Sequence, residues 1–89
     1  MSEVISLPIS ETDDRRVAYF YLQNGSNVPV TTQAGGQPQL ALNSGVYSST
    51  GIGTLVHLSS GHYYATLSNF ITRGYKVGDV SQSRYSVVE

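Results

Sequence analysis

The sequence contains no cysteine and no tryptophan, and it is poor in charge, with five Lys and Arg against six Asp and Glu in 89 residues. Without cysteine neither disulfides nor thiolate-held zinc can staple a small core, and the redox compartment leaves no trace. Five cations spread between Arg15 and Arg84 do not make the basic face that phosphate neutralisation needs, which argues against nucleic acid as a partner. No stretch is apolar for long enough to cross a bilayer. The opening residues, from Met1 to Pro8, hold neither a basic leader nor an apolar core of signal-peptide length, so the expectation is a soluble chain made in a cytoplasm, with no membrane partner. A chain of this length supports one domain that buries roughly 60 to 65 % of its unfolded surface, so stability is expected to lean on neighbouring copies in a homo-oligomer.

What the chain does have is hydroxyls, amides and glycine. Ser and Thr make up about a fifth of it, with nine Gly besides, a mix more typical of extracellular and virion β-modules than of helical enzymes. Its organising stretch is residues 53–67. Thr54, Val56 and Leu58 alternate with Leu55 and His57, Ser59, Ser60 and Gly61 interrupt, and Tyr63, Ala65 and Leu67 then alternate with His62, Tyr64 and Thr66. Two period-two runs joined by small residues ending in Gly predict a β-hairpin, because the last loop position favours left-handed backbone. Leu55, Tyr63, Ala65 and Leu67 are assigned to the core with Leu40 and Leu42, and Tyr64 points outward.

In chain order, residues 1–14 read as an extended N-terminal arm. Val4, Ile5, Leu7 and Ile9 are apolar, Pro8 interrupts them, and Glu11, Asp13 and Asp14 follow without sequence partners. Such a segment is either a disordered or edge-docked terminus or an arm that adds a strand to a neighbouring subunit. Residues 15–89 form the domain proper. Residues 15–23 predict a first strand, with Val17, Tyr19 and Tyr21 on one face and Ala18, Phe20 and Leu22 on the other, so both faces need cover. A turn at residues 24–27 leads to a short strand at 28–32, entered by Pro29 and paired with the first. Residues 33–38 read as a flexible loop, 39–43 as a third strand and 46–51 as irregular chain. Residues 68–73 fit either a helical turn or a strand. Gly78 and Asp79 signal a turn into a last, half-exposed strand at 80–88, in which Ser81, Ser83 and Tyr85 share a face. Six or seven short strands with no long helix predict an all-β fold, a small antiparallel β-sandwich.

The chemistry-bearing residues make no reaction centre. His57 and His62 flank the hairpin turn, but no Asp, Glu or Cys lies nearby in sequence to complete a metal shell. No serine sits in a Gly-x-Ser-x-Gly elbow, and Gly51-Ile52-Gly53 lacks the residues of a phosphate cradle, so it reads as a bulge or turn. The expectation is a non-enzymatic protein with no catalytic, cofactor or metal site. Seven tyrosines either pack the strands or include an aromatic interface or sugar-binding patch from Tyr19, Tyr21, Tyr47 and Tyr64. Candidate interface residues are Val4, Ile5, Leu7, Ile9, Tyr19, Tyr21 and Tyr64.

The succession Tyr21-Leu22-Gln23-Asn24-Gly25, Val28-Pro29-Val30, Pro38-Gln39-Leu40-Ala41-Leu42, then residues 53–58 and Gly61-His62-Tyr63-Tyr64-Ala65-Thr66-Leu67 resembles small immunoglobulin-like β-sandwich domains of tailed-bacteriophage virion proteins. The likeness spans about residues 17–88. It implies that Gly61 serves the turn and that Tyr63 or Tyr64 packs the core. It also implies a structural role, as a capsid decoration (cement) protein whose partner is the major capsid protein or another virion protein, assembled in the host cytoplasm. The alternatives are a small phage tail or neck component, or a glycan-binding module.

Overall fold

The computed structural model describes residues 2–8, 15–68 and 75–88. Six strands run in the order β1 (Ser2–Pro8), β2 (Arg15–Tyr21), β3 (Gln39–Leu42), β4 (Val56–Ser59), β5 (His62–Ser68) and β6 (Val80–Ser86). They form two three-stranded antiparallel sheets, β1-β6-β3 and β2-β5-β4. The described residues contain no helix. Inner-face side chains of both sheets meet in one core of Ala18, Phe20, Leu22, Leu40, Ile52, Leu55, Tyr63, Ala65, Leu67 and Tyr85, which makes the fold the expected all-β sandwich.

The period-two pattern sets the two faces of the sheet β2-β5-β4. Ala18, Phe20 and Leu22 are buried while Tyr19 and Tyr21 are exposed, and Tyr63, Ala65 and Leu67 are buried between the more open Tyr64 and Thr66. The hairpin forms where expected, β5 at the centre of its sheet and β4 at the edge. A bulge falls between His57 and Ser59. Gly61 takes φ +75°, and a Cβ there would meet the Leu22 carbonyl oxygen, Pro29 and the Tyr21 ring, each at 3.0 Å. Its own carbonyl accepts the Leu22 N–H at 2.7 Å. Glycine is thus required at that position by both backbone conformation and space.

The sheet β1-β6-β3 departs further from expectation. Residues 2–8, read from sequence as either a disordered or edge-docked terminus or an arm for a neighbouring subunit, dock as an edge strand that pairs with β6 from Ser2↔Ser86 to Pro8↔Val80, and Ile5 and Leu7 pack against the core. Two apolar residues of the arm are therefore accounted for inside the domain. Ile9 and the rest of 9–14 lie outside the described residues, as do 69–74 of the ambiguous helical turn, and Ser68 is the last residue of β5. The last strand is half-exposed as expected, with Ser81, Ser83 and Tyr85 buried on one face, and it lies at the centre of its sheet. Ser81 and Ser83 are fully buried in the sandwich, in rows Leu7–Ser81–Leu42 and Ile5–Ser83–Leu40. Small side chains in the middle of each row leave room for the opposing sheet, while the flanking aliphatics supply apolar area. Ser81 Oγ donates to the Leu7 carbonyl at 3.1 Å, whereas Ser83 Oγ has no hydrogen-bond partner among the described residues.

Three local expectations are corrected. Residues 28–32 meet the end of the first strand, as expected, but through the single bridge Gln23↔Pro29, in which the Asn24 N–H donates to the Val28 carbonyl at 2.9 Å and the Val30 N–H to the Leu22 carbonyl at 3.0 Å; Pro29 has no N–H with which to extend the ladder. In β3, Ala41 is buried with Leu40 and Leu42 only partly, because the strand ends where Asn43 and Ser44 turn with φ of 51° and 61°. The loop 33–38 is tied down rather than flexible. Gly35 N–H donates to the Leu55 carbonyl at 2.9 Å, and Leu55 N–H to the Gly36 carbonyl at 2.8 Å.

Buried Gln33 is the polar centre of that loop. Its Oε1 accepts from the Tyr85 hydroxyl (2.6 Å) and the Val88 N–H (3.0 Å), and its Nε2 donates to the Val88 carbonyl (2.9 Å). Gln33 N–H donates to the Tyr63 hydroxyl at 3.2 Å, which in turn donates to the Val30 carbonyl at 2.8 Å. Two core tyrosines thereby place their polar ends on one glutamine, satisfying groups that would be costly to bury unpaired. Burial pushes the Tyr85 phenol pKa above its ordinary 10.0, and the neighbouring Tyr63 phenol adds to the rise.

Candidate interaction face

The strand register gathers aromatic and apolar side chains on the outer face of β2-β5-β4. Tyr19, Tyr64 and Val56 lie in one row across the three strands, and Tyr21, His62 and Ser59 in the next. The Tyr19 and Tyr64 rings are 6.4 Å apart between centroids, and Tyr21 and His62 are 4.7 Å apart. Cross-strand contacts of this kind hold the rings in fixed orientations before any partner arrives. Tyr19 is 65 % exposed and Leu58, at the bulge, 54 %. No Asp, Glu, Lys or Arg occurs from Val17 to Thr72, so the patch of Tyr19, Tyr21, Val56, Leu58 and Tyr64 contains none of them; Arg15, in phase with Tyr19 and Tyr21 at the start of β2, stands at its margin.

Of the seven residues nominated from sequence, the structure brings Tyr19, Tyr21 and Tyr64 together. Val4 is exposed on the outer face of the other sheet, beside Arg84 in the ladder, while Ile5 and Leu7 turn toward the core. Tyr47, the fourth member of the expected aromatic patch, stands apart from it, its ring 3.8 Å beneath the Arg84 guanidinium. Val56, Leu58 and His62 join the face although sequence reasoning did not nominate them. The alternation of the hairpin held the signal for Val56, which falls opposite Leu55 in phase, whereas the bulge at Leu58 breaks that phase and brings Ser59 beside His62.

The two imidazoles do not converge. His57 pairs with Tyr63 and stacks on it at 5.0 Å, whereas His62 meets Tyr21 on the opposite face. Among the described residues no three of His, Cys, Asp and Glu come together as metal ligands. Gly51 turns with φ 85° and Ile52 bridges Leu67, so the glycine pair brackets a turn and a buried residue. A shallow groove of about 510 Å³ runs between the 24–32 segment and Val87–Val88, lined by Asn24, Ser26, Thr31 and Thr32 among others.

This arrangement defines a class: a two-sheet antiparallel β-sandwich with an uncharged aromatic patch. Known families, curated proteins and solved structures offer no match to the chain.

Proposed function

We propose that the protein is a non-enzymatic virion structural component, most specifically a capsid decoration protein that binds and stabilises a bacteriophage capsid lattice. The observation that carries the binding role is the uncharged patch of Tyr19, Tyr21, Tyr64, Val56 and Leu58. Aromatic enrichment and charge depletion mark the desolvated centre of protein interfaces, because rings bring large contact area at small entropy cost and no ion has to lose its water. The phage assignment rests on the resemblance of the strand succession. Buried apolar area contributes roughly 25 cal/mol per Å² before the costs of association, and repetition over a symmetric lattice converts a modest contact into firm attachment.

Protein analysis of virions purified from the source of the sequence tests the proposal. The chain is expected in fixed stoichiometry with the major capsid protein, and a Tyr19→Asp variant is expected to lose at least about tenfold in occupancy, as charges buried without partners do, while circular dichroism still shows a folded β protein. Absence of the chain from purified particles sinks the proposal. Location at the neck or tail would replace the capsid by another virion partner. Saturable binding to a glycan, with no binding to particles, would favour the carbohydrate reading.

A further inference from the structure

We propose that Arg84, held by Gln39 and Tyr47 on the outer face of the other sheet, is a binding site for a carboxylate group. This inference does not rest on the virion reading. Arg84 Nε and one terminal nitrogen both donate to Gln39 Oε1, at 2.9 and 2.8 Å, and the guanidinium lies 3.8 Å from the centroid of the Tyr47 ring. One edge and one face of the fork are therefore fixed. The end-on edge keeps a parallel pair of N–H groups, the arrangement that receives the two oxygens of a carboxylate.

Three features favour a planar monoanion. Asp79, the only Asp or Glu from Arg15 to Val88, accepts the Lys76 N–H at 2.9 Å and does not reach Arg84. A cavity of about 340 Å³ adjoins it, with Gln39 and Ser86 in its lining, so an amide and a hydroxyl are at hand for a bound polar group. The cavity lining contains a single cation, which matches one negative charge and leaves a dianion such as sulfate half compensated. An exposed Arg ordinarily loses much rotamer freedom when it binds; here Gln39 and Tyr47 have already restricted it, so less is lost.

The test is titration of the ¹⁵N-labelled full chain with sodium acetate and, at matched ionic strength, sodium sulfate, following the side-chain Nε–H signals. Arg15, Arg16 and Arg73 are controls within the chain. The Arg84 signal is expected to shift saturably with acetate while the controls drift linearly. Arg84→Lys keeps the charge without the fork and should bind at least about tenfold more weakly; Tyr47→Leu, which removes the platform, should weaken binding about threefold or more. N-acetylglutamate N-methylamide and N-acetylalanine separate a side-chain from a chain-terminal carboxylate, and saturation by either supports the site. An Arg84 signal that tracks the controls, sulfate binding as tightly as acetate, or an unchanged affinity in Arg84→Lys overturns the proposal.

Discussion

The two buried serines of β6 differ only in whether the hydroxyl has a partner, which makes them a natural pair of probes. Ser81 Oγ reaches the Leu7 carbonyl and Ser83 Oγ reaches nothing among the described residues. A buried hydroxyl without a partner costs about 1 to 3 kcal/mol, whereas a made hydrogen bond contributes about 0.5 to 1.5. Ser83→Ala is therefore expected to leave the protein as stable or to stabilise it, and Ser81→Ala to destabilise it by about 1 kcal/mol, with urea midpoints as the measurement. Tyr85 gives a second residue-scale prediction. Its folded pKa lies above the ordinary 10.0, so on raising the pH the unfolded state loses its proton first and then binds fewer protons than the native state. Stability from this group is complete below about pH 10 and falls as the pH rises toward the folded pKa. Tyr85→Phe should start less stable by about 1 kcal/mol and then lose less on alkaline titration above that pH.

At the scale of elements, β1 is the strand whose removal says most. It supplies seven residues of ladder to β6, covers Ser81 through the Leu7 carbonyl, and presses Ile5 and Leu7 onto the core. Deleting residues 2–8 would orphan that hydroxyl, strip two aliphatic side chains from the core and leave the centre of a sheet as an edge. Loss of cooperative unfolding, or a fall in stability of at least about 3 kcal/mol, is expected by circular dichroism. A shortened chain that melts like the full one would show that β1 adds nothing to the sandwich. Binding experiments on the aromatic face are accordingly better made with a substitution at Tyr19 than by trimming the N-terminal segment.

Across the whole molecule, sequence was informative wherever one face of a strand met the core and the other met water. The alternation around Phe20 and around Tyr63 and Leu67 set the faces of β2 and β5, and Gly61 marked the turn. Alternation says which side is buried but not which strand lies beside which, so the pairing of residues 2–8 with β6 was not legible, and neither was the central place of a strand as polar as Val80–Ser86. Gln33 was hidden for a related reason. In sequence it is one polar residue ahead of Gly35 and Gly36, and its role depends on Tyr63 and Tyr85 arriving from distant strands. The aromatic face was half legible, because Tyr64 reads as outward and Tyr19 and Tyr21 as sharing one face of their strand, while the register that lines them up belongs to the ladder. The Arg84 cluster draws on three separated segments and left no signal in any of them.

The central position of β6 also fixes an order of events during synthesis. β6 emerges last of the six strands, yet it alone joins β1 to β3. The hairpin β4-β5 and its neighbour β2 have all their ladder partners once residue 68 is out, at typical elongation rates of roughly 5 to 20 residues per second. β1 emerges first of the six strands and must wait longest with its backbone unpaired. Closing that sheet requires the two ends of the domain to meet, which is the slow, non-local kind of contact. A nascent chain stalled before Val80 would hold one finished sheet with its apolar inner face open, and this is the species on which chaperones or premature association would act.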